Sequence, residues 1–167
     1  MLWVQVPSAT LIDRTTWLNP TQDPNLTRGD MSIRVLCIED EPEMIELIHL
    51  ILSRAGYEVL GAESGAEGLE LLEKEDVDLV LLDLMMPEMD GWEVYQRLKA
   101  NERTRDIPVI IVTAKAQRID RVLGLYIVGA DDYITKPFSP RDLLNSIEQV
   151  LAKHAELQNG GTLPDTP

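Results

Sequence analysis

Three apolar runs limit most strongly what this chain can fold into. They occupy residues 33–38, 79–82 and 109–112, and almost no polar residue interrupts them. A strand with one face in water alternates apolar and polar residues, whereas an unbroken apolar strand is buried on both faces, as in parallel sheets covered by helices. Shorter apolar runs at residues 59–62 and 133–135 add two strands. The sequence therefore predicts a five-stranded parallel sheet.

Amphipathic segments fill the intervals between these strands. Pro42 stands at a first-turn position, and the motifs SGAE (64–67) and SPRD (139–142) are typical helix starts. Apolar residues then recur at helical spacing, and in the fourth of the five expected helices they are Ile119, Val122, Leu123 and Tyr126. Strands that alternate with helices predict a doubly wound α/β domain over residues 31–153.

The two ends of the chain have a different character. Residues 1–30 contain three prolines and no clear period, which predicts a flexible leader, or a segment upstream of a true start at Met31. The alternative is a docking segment that uses Trp3 and Trp17. Residues 154–167 finish in QNGGTLPDTP and predict a disordered tail.

Charge and cysteine content exclude several classes of protein. The 167 residues carry a formal net charge of -14, which is unlike the clustered Lys and Arg of a nucleic-acid interface, so no direct nucleic-acid contact is expected. The single cysteine, Cys37, cannot form an intrachain disulfide, which favours a reducing cytoplasmic location. No apolar stretch reaches the ~20 residues that span a bilayer, so no membrane association is expected.

Acidic and polar side chains follow the predicted strands. In open α/β sheets, ligands bind beyond the carboxyl ends of the strands, where the strand order reverses. Each of these residues alone has an ordinary explanation, such as a helix cap or a solvated loop cation, but their convergence on one edge predicts a binding site. They are Glu39, Asp40 and Glu41 after the first strand, Asp83 after the third, Thr113 and Ala114 at the fourth, and Lys136 after the fifth.

Four motifs at these strand ends resemble the receiver domain of bacterial two-component response regulators. They are VLCIEDE, LVLLDLMMPEMDG, IPVIIVTAK and GADDYITKPFSPRDLL, and together they cover roughly residues 33–153. The resemblance implies a flavodoxin-like (βα)5 fold with strand order 2-1-3-4-5. It also implies a phospho-acceptor in a phosphorelay, phosphorylated by a sensor histidine kinase or a phosphotransfer protein, that passes its state to a downstream target protein.

The resemblance assigns a role to each residue at this edge. Asp83 is the phosphate acceptor; Asp40 and Asp83 bind Mg²⁺ directly, Glu39 binds it through water, and Met85 contributes its backbone carbonyl. Lys136 and Thr113 contact the phosphoryl group beside Ala114, which leaves room for Thr113 to move. Thr113 and Tyr133 form the conformational switch, and the bond between Lys136 and Pro137 is cis.

Several alternatives remain beside this expectation. The chain is expected to be an acceptor that dephosphorylates itself, not a dedicated enzyme. An aspartate-nucleophile phosphatase would need a second Asp where Met85 stands. A phosphorylation-independent dimerisation or docking module is the other alternative.

A phosphorylation-dependent homodimer also stays open. It would form through the face of the fourth helix, fifth strand and fifth helix. Arg121, Asp132 and Asp142 favour that dimer, which is typical of the family's winged-helix transcription-factor subclass, whereas Ser146 stands where that subclass usually has arginine.

Overall fold

A computed structural model describes residues 10–12, 16–18, 32–114 and 129–159. Strands β1 (Thr10–Ile12) and β2 (Thr16–Leu18) pair with each other in antiparallel fashion. The other five strands form one parallel sheet in the order β4-β3-β5-β6-β7. Counted among themselves, these five follow the order 2-1-3-4-5, which confirms the predicted fold. Their bounds are β3 Arg34–Ile38, β4 Glu58–Ala62, β5 Leu79–Leu82, β6 Val109–Thr113 and β7 Asp132–Thr135.

Helices cover both faces of this sheet. They are α1 Pro42–Arg54, α2 Gly65–Lys74, α3 Gly91–Ala100 and α4 Pro140–Asn159. Successive side chains of a strand point to opposite faces, so β3 sends Val35 and Cys37 into the core shared with α1 and α4, and Leu36 and Ile38 into the core shared with α2 and α3. The central strands are buried on both sides, as their unbroken apolar sequence predicts.

The helix starts follow the predicted local chemistry. Ser64 caps α2 by accepting a hydrogen bond from the Glu67 N–H. Ser139 and Asp142 form a reciprocal pair at the start of α4, since each side chain accepts a hydrogen bond from the other's backbone N–H. Pro42 occupies the first turn of α1. These caps fix where each helix leaves the carboxyl edge of the sheet, and so they place the loops that carry the polar residues.

The structure differs from the sequence prediction in two places. The pairing of β1 with β2 lies in residues 1–30, where no secondary structure was predicted. The tail boundary at Lys153 was wrong, because α4 continues to Asn159. Ala155 is 9% exposed in this last part of the helix, so the apolar face of α4 extends past the predicted end. The predicted fourth helix falls on residues 115–128, outside the described residues.

No helix among the described residues combines the length and the apolar character that a membrane crossing requires.

Candidate active site at the carboxyl edge of the sheet

Three carboxylates converge where β3 and β5 end. Glu39 and Asp40 directly follow β3, and Asp83 directly follows β5, its N–H donating to the Ile38 carbonyl at 3.0 Å. One oxygen from each of the three carboxyl groups lies within 4.8 Å of the others. Glu39 is 1% exposed and Asp83 is 4% exposed. Two nearly buried carboxylates next to a third repel one another, so either a nearby cation or protonation of one acid stabilises the cluster.

Lys136 supplies one positive charge to this cluster. Its Nζ lies 2.5 Å from Glu39 Oε2 and 3.3 Å from Asp83 Oδ2, with Glu41 Oε1 farther away at 4.0 Å. The Lys136 N–H donates to the Thr113 carbonyl at 2.9 Å, which ties the loop after β7 to the end of β6. The bond between Lys136 and Pro137 is cis, as predicted.

Burial and charge change the proton affinity of these groups. Burial raises the pKa of Glu39 to about 7, and the negative charge of Asp83 adds to this, although the Lys136 ammonium acts in the opposite direction. Burial lowers the pKa of Lys136, but Glu39 and Asp83 outweigh burial, so its pKa stands above the ordinary lysine value. Lys136 is therefore a permanent cation at neutral pH, whereas Glu39 ionises much less readily than an exposed glutamate.

The loop after Asp83 is held by its backbone. The Met85 N–H donates to Asp83 Oδ1 at 3.0 Å, which fixes the orientation of the carboxylate. Glu88 has a φ of 66°, an uncommon value for a residue other than glycine. A Cβ on Gly91 would lie 2.0 Å from the Asp83 carbonyl oxygen, so only glycine permits this contact between α3 and the acceptor loop. This role of Gly91 was not predicted from the sequence, although the Asp-Gly pair at 90–91 was the available signal.

The remaining predicted residues lie at the end of β6 and in β7. Thr113 ends β6 and is 2% exposed, while Ala114 follows it and is exposed. Tyr133 belongs to β7 and is 49% exposed, so its ring lies at the surface. The phosphoryl contact assigned to Thr113, and the switching role of Thr113 and Tyr133, stay predictions. Cys37 lies in the core, where burial raises its thiol pKa to about 12, which fits a structural and unreactive cysteine.

Comparison with known proteins identifies this arrangement. The family model described as "Response regulator receiver domain" matches residues 35–148. The chain belongs to the response regulator receiver family. A solved CheY-like receiver domain protein from Methanospirillum hungatei JF-1 is similar to it, with a TM-score of 0.68 and 33% identity over 75% of this chain and 98% of that chain.

Two curated relatives are transcriptional regulators. The DNA-binding dual master transcriptional regulator RpaA from Synechocystis is 41% identical and is matched over 80% of this chain and 59% of its own length. The phosphate regulon transcriptional regulatory protein PhoB from Pseudomonas aeruginosa is 42% identical, over 78% of this chain and 59% of its own length. The receiver domain thus spans somewhat more than half of these relatives. Because RpaA is named as DNA-binding, the expectation that no nucleic acid is contacted is not supported.

The acidic cluster of the receiver domain fits the Mg²⁺ that the family implies. Carboxylate oxygens are hard ligands, and Mg²⁺ binds through one or two carboxylates while it keeps several waters. Glu39, Asp40 and Asp83 provide such oxygens within 4.8 Å of one another. Asp40 and Asp83 remain the expected direct ligands, with Glu39 acting through water and the Met85 carbonyl as a further ligand.

The residues proposed for a homodimer are engaged within the chain. The Ser146 hydroxyl donates to Asp132 Oδ2 at 2.5 Å, and Ser146 is 6% exposed. Asp142 accepts hydrogen bonds from the backbone N–H and the hydroxyl of Ser139. Arg121, the basic residue expected to face these acids, lies outside the described residues.

Proposed function

We infer that this receiver domain is a phospho-acceptor switch in a two-component phosphorelay, with Asp83 as the acceptor. The observation that supports this most directly is the contact of Lys136 Nζ with both Glu39 and Asp83 at the carboxyl edge of the sheet. A nucleophilic carboxylate facing a phosphoryl donor needs positive charge beside it, because both reactants are anionic. The same edge provides that charge and the oxygen ligands for a divalent cation.

The reaction is a transfer of one phosphoryl group. A carboxylate oxygen of Asp83 forms a bond to phosphorus, while the bond from phosphorus to the donor nitrogen of a kinase histidine, or to the acyl oxygen of a small acyl phosphate, breaks and leaves its electron pair on the donor. Asp40 and Asp83 would hold Mg²⁺, which would supply neutralising charge for the phosphoryl oxygens. Lys136 pairs with one phosphoryl oxygen as a compact point charge. The Met85 N–H keeps the acceptor carboxylate oriented.

The state is passed on by a change of shape. Thr113 ends β6 close to the acceptor strand, and its hydroxyl would hydrogen-bond the new phosphoryl group. Tyr133, which is 49% exposed, would then turn inward behind Thr113. The partners are a sensor histidine kinase or phosphotransfer protein and a downstream target. A transcriptional output belongs to this proposal because RpaA and PhoB are named as transcriptional regulators. The domain acts as an acceptor that loses its phosphate again and not as a dedicated enzyme.

Acetyl phosphate with Mg²⁺ tests this proposal directly. Intact mass spectrometry should show one added phosphoryl group, and peptide mapping should place it on Asp83. The group should be absent in Asp83→Asn and in samples with a chelator, and present in Asp106→Asn, a matched change at an exposed aspartate. Phosphate on Asp78 or Asp90 with Asp83 unmodified would overturn the assignment.

A further inference from the structure

The loop after β5 carries three of the chain's methionines, and one of them is open to solvent. Met85 is 40% exposed, whereas Met86 is 9% exposed and belongs to the core shared with α2 and α3. Met89 packs against the same core, and its Sδ would lie 3.0 Å from a Cβ placed on Gly65. Met44, on α1, packs against the core on the other face of the sheet. Met85 therefore presents the most accessible sulfur among the methionines that the structure describes.

The chain's single thiol does not compete with this thioether for an oxidant. Cys37 is 1% exposed, and burial raises its thiol pKa to about 12. Oxidants attack cysteine as the thiolate, so a thiol that is both buried and protonated reacts slowly. A thioether has no proton to lose, so its accessibility decides how fast it is oxidised. The nearby acids repel anionic oxidants but not hydrogen peroxide, which is neutral. Met85 Sδ is therefore the described sulfur atom that hydrogen peroxide reaches most easily.

Met85 also lies next to the acceptor carboxylate. Its N–H donates to Asp83 Oδ1 at 3.0 Å, and its Cα is one bond of ~1.5 Å from that nitrogen, so the side chain begins within about 4.5 Å of the carboxylate oxygen. The thioether is apolar and only a weak hydrogen-bond acceptor, so it holds no water beside the acceptor. Oxidation to the sulfoxide makes the same side chain polar. Because the contact with Asp83 uses the backbone N–H, this oxidation leaves the orientation of the carboxylate unchanged.

We propose that Met85 is an oxidation site and that its oxidation shortens the lifetime of the phosphoryl group on Asp83. Hydrogen peroxide is the co-reactant. The sulfur lone pair attacks one peroxide oxygen, an S–O bond forms, and the O–O bond breaks. Sulfur loses two electrons, and the attacked oxygen passes its proton to the departing hydroxide, which leaves as water.

The sulfoxide oxygen then accepts a hydrogen bond from the water that attacks phosphorus. That attack breaks the P–O bond to Asp83, and it yields inorganic phosphate and the free carboxylate. The inference rests on the proposed function, because it concerns the loss of the phosphoryl group from the same aspartate.

Treatment of the full chain with hydrogen peroxide, followed by tandem mass spectrometry, locates the added oxygen. Met85 should be oxidised before Met44, Met86 and Met89. The peroxide is then removed, the protein is labelled with acetyl phosphate and Mg²⁺, and decay of the phosphorylated protein is followed in excess Mg²⁺ without the donor. The oxidised protein should lose its phosphoryl group several-fold faster than the untreated protein. Methionine sulfoxide reductase should restore the slow decay, because it returns the sulfoxide to the thioether.

Two leucine variants separate Met85 from the other methionines, and each is compared with its own untreated sample. Met85→Leu removes the sulfur and keeps an apolar side chain of similar volume, so peroxide should leave its decay rate unchanged. Met44→Leu keeps Met85 and should respond to peroxide as wild type does.

Three results would each refute the inference. They are oxygen on Met44, Met86 or Met89 before Met85, a Met85 sulfoxide that decays at the untreated rate or more slowly, and an equal response to peroxide in Met85→Leu. A wild-type protein that takes up no phosphoryl group before peroxide treatment rejects the phospho-acceptor function instead, since the position of the added oxygen does not depend on phosphorylation.

Discussion

Replacing Glu39 by glutamine should change how the stability of the metal-free protein depends on pH. Glu39 is 1% exposed, and burial beside Asp83 raises its pKa from 4.5 to about 7. Between these two values the folded protein binds the Glu39 proton more tightly than the unfolded chain does. The free energy of unfolding therefore falls as pH rises from about 4.5 to 7, and the loss is complete above the folded-state pKa. Each tenfold difference in proton affinity is ~1.4 kcal/mol, so the total loss is about 3 kcal/mol.

Urea unfolding in a chelator at several values between pH 5 and pH 8 measures this loss. The wild-type midpoint should fall across this range, whereas the Glu39→Gln midpoint should change much less, because an amide does not titrate. At pH 8 the variant should therefore be more stable than wild type. The raised pKa of Lys136 contributes stability that is lost only above its ordinary value of 10.5, outside this window. Glu102→Gln, an exposed matched change, should follow the wild-type curve.

The stabilisation by added Mg²⁺ is a second test of the ionisation of Glu39. A cation that binds only the folded state raises stability by mass action. The gain should be larger for wild type at pH 8 than at pH 5, because Glu39 is protonated at pH 5 and then adds no negative charge to the cation site. A wild-type stability that stays flat or rises from pH 5 to pH 8 would refute the reasoning. A Glu39→Gln curve that runs parallel to the wild-type curve would show that other groups cause the pH dependence.

Three further substitutions test the loop after the acceptor. Gly91→Ala should lower the free energy of unfolding by about 1–3 kcal/mol and slow labelling by acetyl phosphate, because the alanine Cβ would clash with the Asp83 carbonyl oxygen. An unchanged urea midpoint would contradict this. Glu88→Gly should raise stability by up to ~1 kcal/mol, because glycine adopts a φ of 66° without strain, while Glu88→Ala should not. Met85→Asn should shorten the phosphoryl lifetime several-fold in excess Mg²⁺, since the 40% exposed methionine cannot hold an attacking water; equal or slower decay would show that Met85 does not control water access.

Sequence patterns predicted the sheet well because strands that are buried on both faces are apolar along almost their whole length. The apolar run at residues 79–82 coincides with β5, and the other four runs match their strands to within one residue at each end. The end of α4 was missed because its last turns consist mostly of charged and polar residues. Ala155 alone continues the buried face there, and Leu157 is 71% exposed. The strands β1 and β2 are three residues each, too short for a period to be visible.

The site was predictable in its members but not in its contacts. Residues that follow parallel strands must meet at one edge, so Glu39, Asp40, Asp83 and Lys136 could be grouped from their positions alone. The sequence cannot show that Lys136 lies closer to Glu39 than to Asp83, since that depends on how deeply each side chain is buried at this edge of the sheet. Ser146 illustrates the same limit, because its hydrogen bond to Asp132 arises only when α4 packs against β7.

The raised pKa of Glu39 and the proposed function have one physical origin. Among the residues that the structure describes, three carboxylates stand beside one ammonium, and two of the three are nearly buried, so these residues carry more negative charge than their surroundings stabilise. That excess weakens the folded state, and it is the same excess that attracts a divalent cation. A site rebuilt for stability, with Glu39 or Asp40 made neutral, would lose the charge that binds Mg²⁺. Asp40→Asn should therefore leave the metal-free protein at least as stable as wild type while it removes the stabilisation by Mg²⁺, and a large loss of stability in the chelator would show that Asp40 instead serves the fold.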